Sequence, residues 1–381
     1  MNGFEKIEIY GFRRLRTVQV EMRPLTVIIG ANGVGKTSFL EMFSLLSESA
    51  KGQLQSKISE FGGLSDILTR DQADNLRVVR SAYLEKYGQF NYFLKLDIKG
   101  QQFYEIEQES LTRSPLLFTY INSSGLDVQY FANDNQVPVR PNWEHNPLET
   151  SLSQVPKMYQ EAEAVRKQLA SCSFYRAWEL NLSPTSPVRL PQAMRPATLP
   201  GNRGEDLVSC LYNLRETDPD RFELISDTLS AAFPSFERLS FPPVAAGTLA
   251  LTWKEKNFSH PLYMHQLSEG TVRFLWLVTL LQSPNLTAVT LIDEPEVSLH
   301  PELLRLLVDV MREASKRTQL IVATHSDRLI RFLQPDEVLV CDADEEGSTT
   351  MTWADSLDLE KWLEEYSLDE LWAMNIIGGR S

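Results

Sequence analysis

The chain has 381 residues, 43% hydrophobic and 23% charged, the balance of a soluble globular protein with chain enough for one large or two ordinary domains. No signal-peptide core follows Met1, no apolar run reaches bilayer length, and Cys172, Cys210 and Cys341 make neither a metal spacing nor a disulfide framework, so a cytoplasmic protein without a membrane partner is expected. The formal net charge of −14 is uneven: from residue 334 onward thirteen acidic residues face two basic ones, a net of −11, which leaves −3 for the first 333 residues and leaves nucleic acid open as a partner.

Residues 4–22 alternate like two strand arms around Gly11-Phe12-Arg13-Arg14-Leu15-Arg16, predicting a hairpin. Leu25-Thr26-Val27-Ile28-Ile29 then reads as a buried strand. The next eight residues, Gly30-Ala31-Asn32-Gly33-Val34-Gly35-Lys36-Thr37, fit G-x-x-x-x-G-K-[ST] at every fixed position. From Ser38 on, Phe39, Leu40, Phe43 and Leu46 fall at helical spacing. Strand, glycine loop, helix is the setting in which backbone N–H groups and a helix N-terminus surround phosphate oxygens. In it Lys36 reaches the β- and γ-phosphates of a nucleotide, and the Thr37 hydroxyl ligates Mg²⁺. This is a nucleotide site.

Residues 77–107 read as an antiparallel meander with Gly88 and Gly100 at turns, continued over 116–131 around Gly125. Residues 157–170 read as a polar helix. Residues 183–204 hold five prolines with Arg189, Arg195 and Arg203. So long an aperiodic connection is functional or mobile, and its arginines are either solvated or placed on phosphates. Two amphipathic helices are expected over 205–216 and 220–233, and a hairpin across Asn257. A helix over 269–282 and a strand over 288–292 come next, followed by a helix after Pro301, a strand over 320–323, a short helix from Asp327 and a strand over 337–341. This alternation implies a parallel sheet that the phosphate-loop strand joins.

Three further motifs carry chemistry. Val289-Thr290-Leu291-Ile292-Asp293-Glu294 delivers two carboxylates at a strand's carboxyl end. Asp293 suits a Mg²⁺ shell and Glu294 suits polarising water toward the γ-phosphorus. Leu267-Ser268-Glu269-Gly270-Thr271 places a serine and a glycine at a helix start, where N–H groups meet an anion, although the same residues serve as a plain N-cap. Thr324-His325-Ser326 ends a strand with a histidine that can hydrogen-bond a γ-phosphate or be structural, and His300 stands just beyond the acidic pair.

In this order the motifs resemble the ABC-type ATPase heads of the SMC, RecF and OLD families, and most closely the stand-alone AAA-type ATPases related to RecF and OLD. The resemblance covers residues 1–80 and 205–381 and departs from L-S-G-G-Q at Glu269 and Thr271. It implies an α/β fold, a P-loop NTPase ABC-ATPase head with a mixed or parallel core sheet flanked by helices, an antiparallel β lobe and a mixed insert. Three segments are expected: an N-terminal ATPase lobe over 1–110, a variable insert over 111–204 and a C-terminal ATPase lobe over 205–381. ATP and Mg²⁺ are the implied ligands, held by Gly30, Ala31, Asn32, Gly33, Val34, Gly35, Lys36, Thr37 and Ser38, with Thr37 and Asp293 on the metal. Lys36, Glu294 and His325 are the implied catalytic residues. Two heads of this type face head to tail, so Ser268, Gly270 and His300 would act in trans on the partner's nucleotide.

Gln72, Gln89 and Gln192 all stay open as the Q-loop glutamine. Coiled-coil arms, a zinc hook and a Toprim nuclease are not found in the sequence, the acidic run Asp342, Asp344, Glu345, Glu346 reads as a loop, and residues 359–379, with Trp362, Leu363, Leu371 and Trp372, read as packed helices. The resemblance then implies an ATP-driven dimer, or higher oligomer, that controls DNA engagement and a separately encoded nuclease-like effector in DNA repair or antiphage defence. The competing reading is a regulatory or scaffolding ATPase that assembles protein partners without nucleic acid. A transporter ATPase subunit fits poorly, because residues 80–205 are too long an insert.

Overall fold

The computed structural model describes the chain apart from residues 1–2, 71, 100–102, 116–117, 132–137, 142, 360–361, 363–364, 375 and 378–381. Gly100 and Leu363, each given a place by the sequence, lie outside the described residues. The chain forms two compact units. One is built from described residues within Met1–Ser173, Pro335–Tyr366 and Leu371–Ser381, the other from Phe174–Gln334 and Ser367–Glu370.

The first unit carries an eight-stranded antiparallel sheet, ordered Leu15–Glu21, Gly3–Phe12, Asn75–Leu84, Gly88–Lys99, Phe103–Ser114, Phe118–Ser124, Asp127–Phe131 and Pro138–Val139. The period-two pattern explains it: Phe90, Tyr92, Leu94 and Leu96 are buried, while Asn91 and Lys95 between them are not. The sheet also buries charge. Glu109 accepts hydrogen bonds from the backbone N–H of Ser151 (2.6 Å) and Leu152 (2.9 Å) and from the Tyr92 hydroxyl (3.0 Å), pinning the loop after the sheet to its inner face. The helix Gln160–Ala170 follows, close to the sequence expectation. Separately, Leu25–Ile29 pairs in parallel with Val338–Ala343, Val27 opposite Val338, and Val338–Ala343 pairs antiparallel with Thr349–Trp353.

In the second unit Val289–Asp293 pairs in parallel with Gln319–Ala323, every residue of both strands buried, as strands covered on both faces must be. Helices Leu207–Thr217, Pro219–Ala232, Glu269–Gln282 and Pro301–Ala314 stand where the apolar spacing puts them. Thr252–Glu255 and Leu262–Tyr263 form the expected hairpin.

The structural division does not follow the three expected segments. Residue 110 falls inside the strand Phe103–Ser114, because hairpin pairing carries the same sheet through to Val139. Residue 204 falls inside the second unit. The strand Val338–Ala343 belongs with the first unit, because its partner is Leu25–Ile29.

Candidate functional site

Gly30, Gly33 and Gly35 all take positive φ, and a Cβ on Gly30 would collide with the Cys341 carbonyl, so the loop needs glycine there for both reasons. A Cβ on Gly33 would meet nothing within 4 Å, so that side of the loop is open. The helix Lys36–Ala50 starts straight out of Gly35 with no side-chain cap and no acidic residue in its first turn. Its N-terminal partial charge therefore has no counter-group from a cap, the arrangement that takes an anion. The buried Lys36 ammonium donates to the carbonyls of Gly30 (2.7 Å) and Ala31 (2.7 Å), which arches the loop around it. Thr37 is exposed and Ser38 half-exposed at the helix start. The donor types fit Mg²⁺-nucleotide: a hydroxyl, an ammonium and the backbone N–H groups of a glycine loop running into a helix start.

The loop is backed by a residue the sequence reading passed over. Thr349 donates its hydroxyl to Val34 (2.6 Å) and its backbone N–H to Arg14 (3.1 Å), and a Cβ on Gly35 would lie 2.7 Å from that hydroxyl. Beside it opens a cavity of about 400 Å³, walled by Arg13 and Arg14 of the first turn, Thr69, Arg70 and Gln72, and Glu346 through Ser348. The wall is held by Arg13 N–H on the Ile67 carbonyl (2.6 Å) and Thr69 N–H on that of Gly11 (3.1 Å). Its sequence signal was the run Arg13-Arg14 at a hairpin tip. Burial pushes the neighbouring Cys341 thiol up to about 12, leaving it protonated and inert.

Of the three open glutamines, Gln72 lines this cavity. Gln89 donates to the exposed Glu5 (2.8 Å). Gln192 is buried, donating to the carbonyls of Pro187 (2.9 Å) and Gly204 (2.7 Å) while accepting from Val208 N–H (2.9 Å). That is a loop clamp.

In the second unit Asp293 is buried at the end of its strand, opposite Ala323, and Glu294 turns away at φ 54°, its N–H on the Ala323 carbonyl (2.8 Å). A non-glycine residue in that region is strained, and such strain gathers at functional sites. The turn brings the Glu294 carboxylate 3.3 Å from His325 Nδ1. A second link lies alongside: Thr324 donates to Glu296 Oε1 (2.6 Å), while Oε2 of Glu296 is buried without a hydrogen bond, and burial raises this carboxyl above its usual value. The loop after the acidic pair and the loop bearing His325 are thus tied twice.

Ser268 is exposed and caps the helix Glu269–Gln282, accepting from Thr271 N–H (3.1 Å). Gly270 packs under the same chain's Ser298, whose carbonyl oxygen would lie 2.7 Å from an added Cβ. Ser298 itself sits at φ 62°. His300 is exposed and caps the helix Pro301–Ala314, Nδ1 accepting from Glu302 N–H (3.4 Å). Of the arginines at 189, 195 and 203, Arg189 is buried on backbone carbonyls and Arg195 pairs with Asp206.

A family model described as "AAA domain, putative AbiEii toxin, Type IV TA system" matches residues 25–331. No curated protein matches the chain. Among solved structures, the chain is similar to an SMC head bound to the C-winged helix domain of ScpA (TM-score 0.58, 15% identity, covering 92% of this chain and 97% of that one). It is also similar to the Smc head domain with an extended coiled coil bound to the C-terminal domain of ScpA derived from Pyrococcus furiosus (TM-score 0.54, 13% identity, covering 96% and 98%). At these identities the likeness is one of fold, that of an ABC-type ATPase head.

Proposed function

Because the chain belongs to the family of AAA domains described as putative AbiEii toxins of type IV toxin–antitoxin systems, we propose that it binds and hydrolyses ATP as one head of a nucleotide-gated dimer. The observation that carries this reading is the phosphate loop, in which Lys36 is held by two loop carbonyls at the mouth of an uncapped helix. The loop and Lys36 take the phosphates, and the cavity beside Thr349, lined by Arg13, Arg14 and Arg70 together with Asp66 and Glu346, takes the nucleoside end. Thr37 at the helix start would ligate Mg²⁺, and Asp293 at its strand end is a carboxylate of the kind that does so; the ion would supply charge that offsets the phosphates. Glu294 polarises the attacking water, His325 steadies its carboxylate, and Ser268, Gly270 and His300 serve the partner's nucleotide.

The test is a pair of variants in purified protein. Lys36→Ala is expected to lose ATP binding. Glu294→Gln is expected to bind ATP, hydrolyse it about 10²–10⁴-fold more slowly and accumulate a dimer. Hydrolysis by Glu294→Gln at the wild-type rate would mean that the base is another residue.

What the dimer acts on belongs to the same proposal: DNA and a separately encoded effector, as in repair or antiphage defence. ATP-dependent retardation of DNA that fades steeply with salt supports it. The net charge of −14 favours the second reading, a scaffold that assembles proteins; absence of DNA or RNA binding at low salt, with and without ATP, would select it.

A further inference from the structure

The stretch 182–204, which contains the five-proline connection 183–204 that the sequence marks as functional or mobile, is bonded to the helix Glu269–Gln282 and its flanks at three levels, all within the second unit. Ahead of the helix, the Arg189 guanidinium is buried and donates from Nη1 to the carbonyls of Met264 (2.6 Å) and Leu267 (2.9 Å), and from Nε to that of Leu182 (2.7 Å). At mid-helix, Trp276 Nε1 donates to the Gly201 carbonyl (2.8 Å). Just past its end, the Ser283 hydroxyl donates to the Thr198 carbonyl (2.6 Å). The stretch is itself closed by the Gln192 clamp and by Gly204, at φ 71°, against Val188. It is a brace.

Arg189 holds the part of this brace that matters for Ser268. Leu267 is the residue before Ser268, and Met264 begins the 3₁₀ turn that leads to it. A guanidinium is a rigid planar fork, and here it grips carbonyls on two chain segments at once; an ammonium on a flexible stem does not reproduce that grip. We infer that Arg189 is a positioning residue: it fixes where the turn 264–267 presents Ser268 and the first N–H groups of the helix. It thereby ties the stretch 182–204 to the residues that the dimer reading places in trans. The inference rests on the dimer reading above.

Arg189→Lys and Arg189→Ala would be compared with wild type in three measurements. ATP binding, which depends on Lys36, should stay within about twofold. Dimer formation in the Glu294→Gln background, and kcat at saturating protein, should fall about tenfold or more, the cost of displacing an aligned group by a fraction of an ångström to an ångström. Hydrogen exchange of the amides at 265–272 should quicken, and added guanidinium should partly restore kcat in Arg189→Ala but not in Arg189→Lys. A merely structural arginine would lower Tm and leave kcat of the folded fraction and its guanidinium response unmoved. Wild-type dimerisation, kcat and exchange in Arg189→Lys would overturn the inference. If wild type neither dimerises nor hydrolyses ATP, the dimer reading fails, and exchange at 265–272 still decides whether Arg189 holds the turn; should Arg189→Ala not fold, Arg189→Lys carries every arm.

Discussion

Gly270 shows what a single residue can be asked. The motif marks it as a place where phosphate approaches a helix N-terminus, and its structural neighbour is the Ser298 carbonyl of the same chain, 2.7 Å from where a Cβ would stand. A backbone oxygen cannot swing aside like a side-chain tip, so Gly270→Ala is expected to cost about 1–3 kcal/mol, read as a lower Tm. An unchanged Tm would show that the two loops do not pack as described. Glu296 gives a pH signature. Burial holds its folded carboxyl above the ordinary 4.5, so the folded chain keeps a proton that the unfolded chain has released. Its contribution is fully present below about 4.5 and is lost as pH rises through the folded value. Glu296→Gln keeps the size and an acceptor for Thr324 but does not titrate. The Tm of the variant minus that of wild type should therefore climb with pH across that window; a flat difference refutes it. Glu294 and His325 stand out in the sequence because each closely follows a buried strand. Their 3.3 Å approach does not, since it depends on the Val289–Asp293 and Gln319–Ala323 register.

At the scale of elements, strands and helices with strong periodicity were legible to within a few residues. The helix Glu269–Gln282 and the hairpin Thr252–Glu255 with Leu262–Tyr263 stand where apolar spacing puts them. The connection 183–204 was not legible, because its order comes from carbonyls gripped by Arg189, Gln192 and Trp276 rather than from any period. The loop after the first unit's sheet is a similar case, held by Glu109, which burial alone holds above the usual carboxyl range. Removing that carboxylate leaves two buried backbone N–H groups without acceptors. Glu109→Ala is expected to destabilise by about 3–5 kcal/mol in denaturant titration. A loss under 1 kcal/mol would mean that water replaces the carboxylate and that the loop is not pinned.

For the whole molecule, the acidic end is more than a tail. Its strand Val338–Ala343 lies parallel to Leu25–Ile29, close to the strand expected over 337–341, while Thr349, 315 residues from Val34, supports the phosphate loop in a way no motif announced. A chain ending at Gln334 should therefore fail to bind ATP and be rapidly proteolysed, because one edge of the phosphate-loop strand is left open. Retained ATP binding in that truncation would show the end to be dispensable. No described helix is long and apolar enough to cross a membrane. Sequence alone marked the contiguous motifs: the loop Gly30–Thr37 between strand and helix, the acidic pair after a buried strand, and the motif order that resembles an ATPase head. Such signals are local, set by propensity, period and spacing within about ten residues. The tertiary structure decided what depends on residues hundreds of positions apart: Thr349 behind the loop, the cavity at Arg13 and Arg14, the burial of Arg189 and Gln192. A side chain's partner follows from which strands pair, and strand pairing is written in no single stretch of the chain.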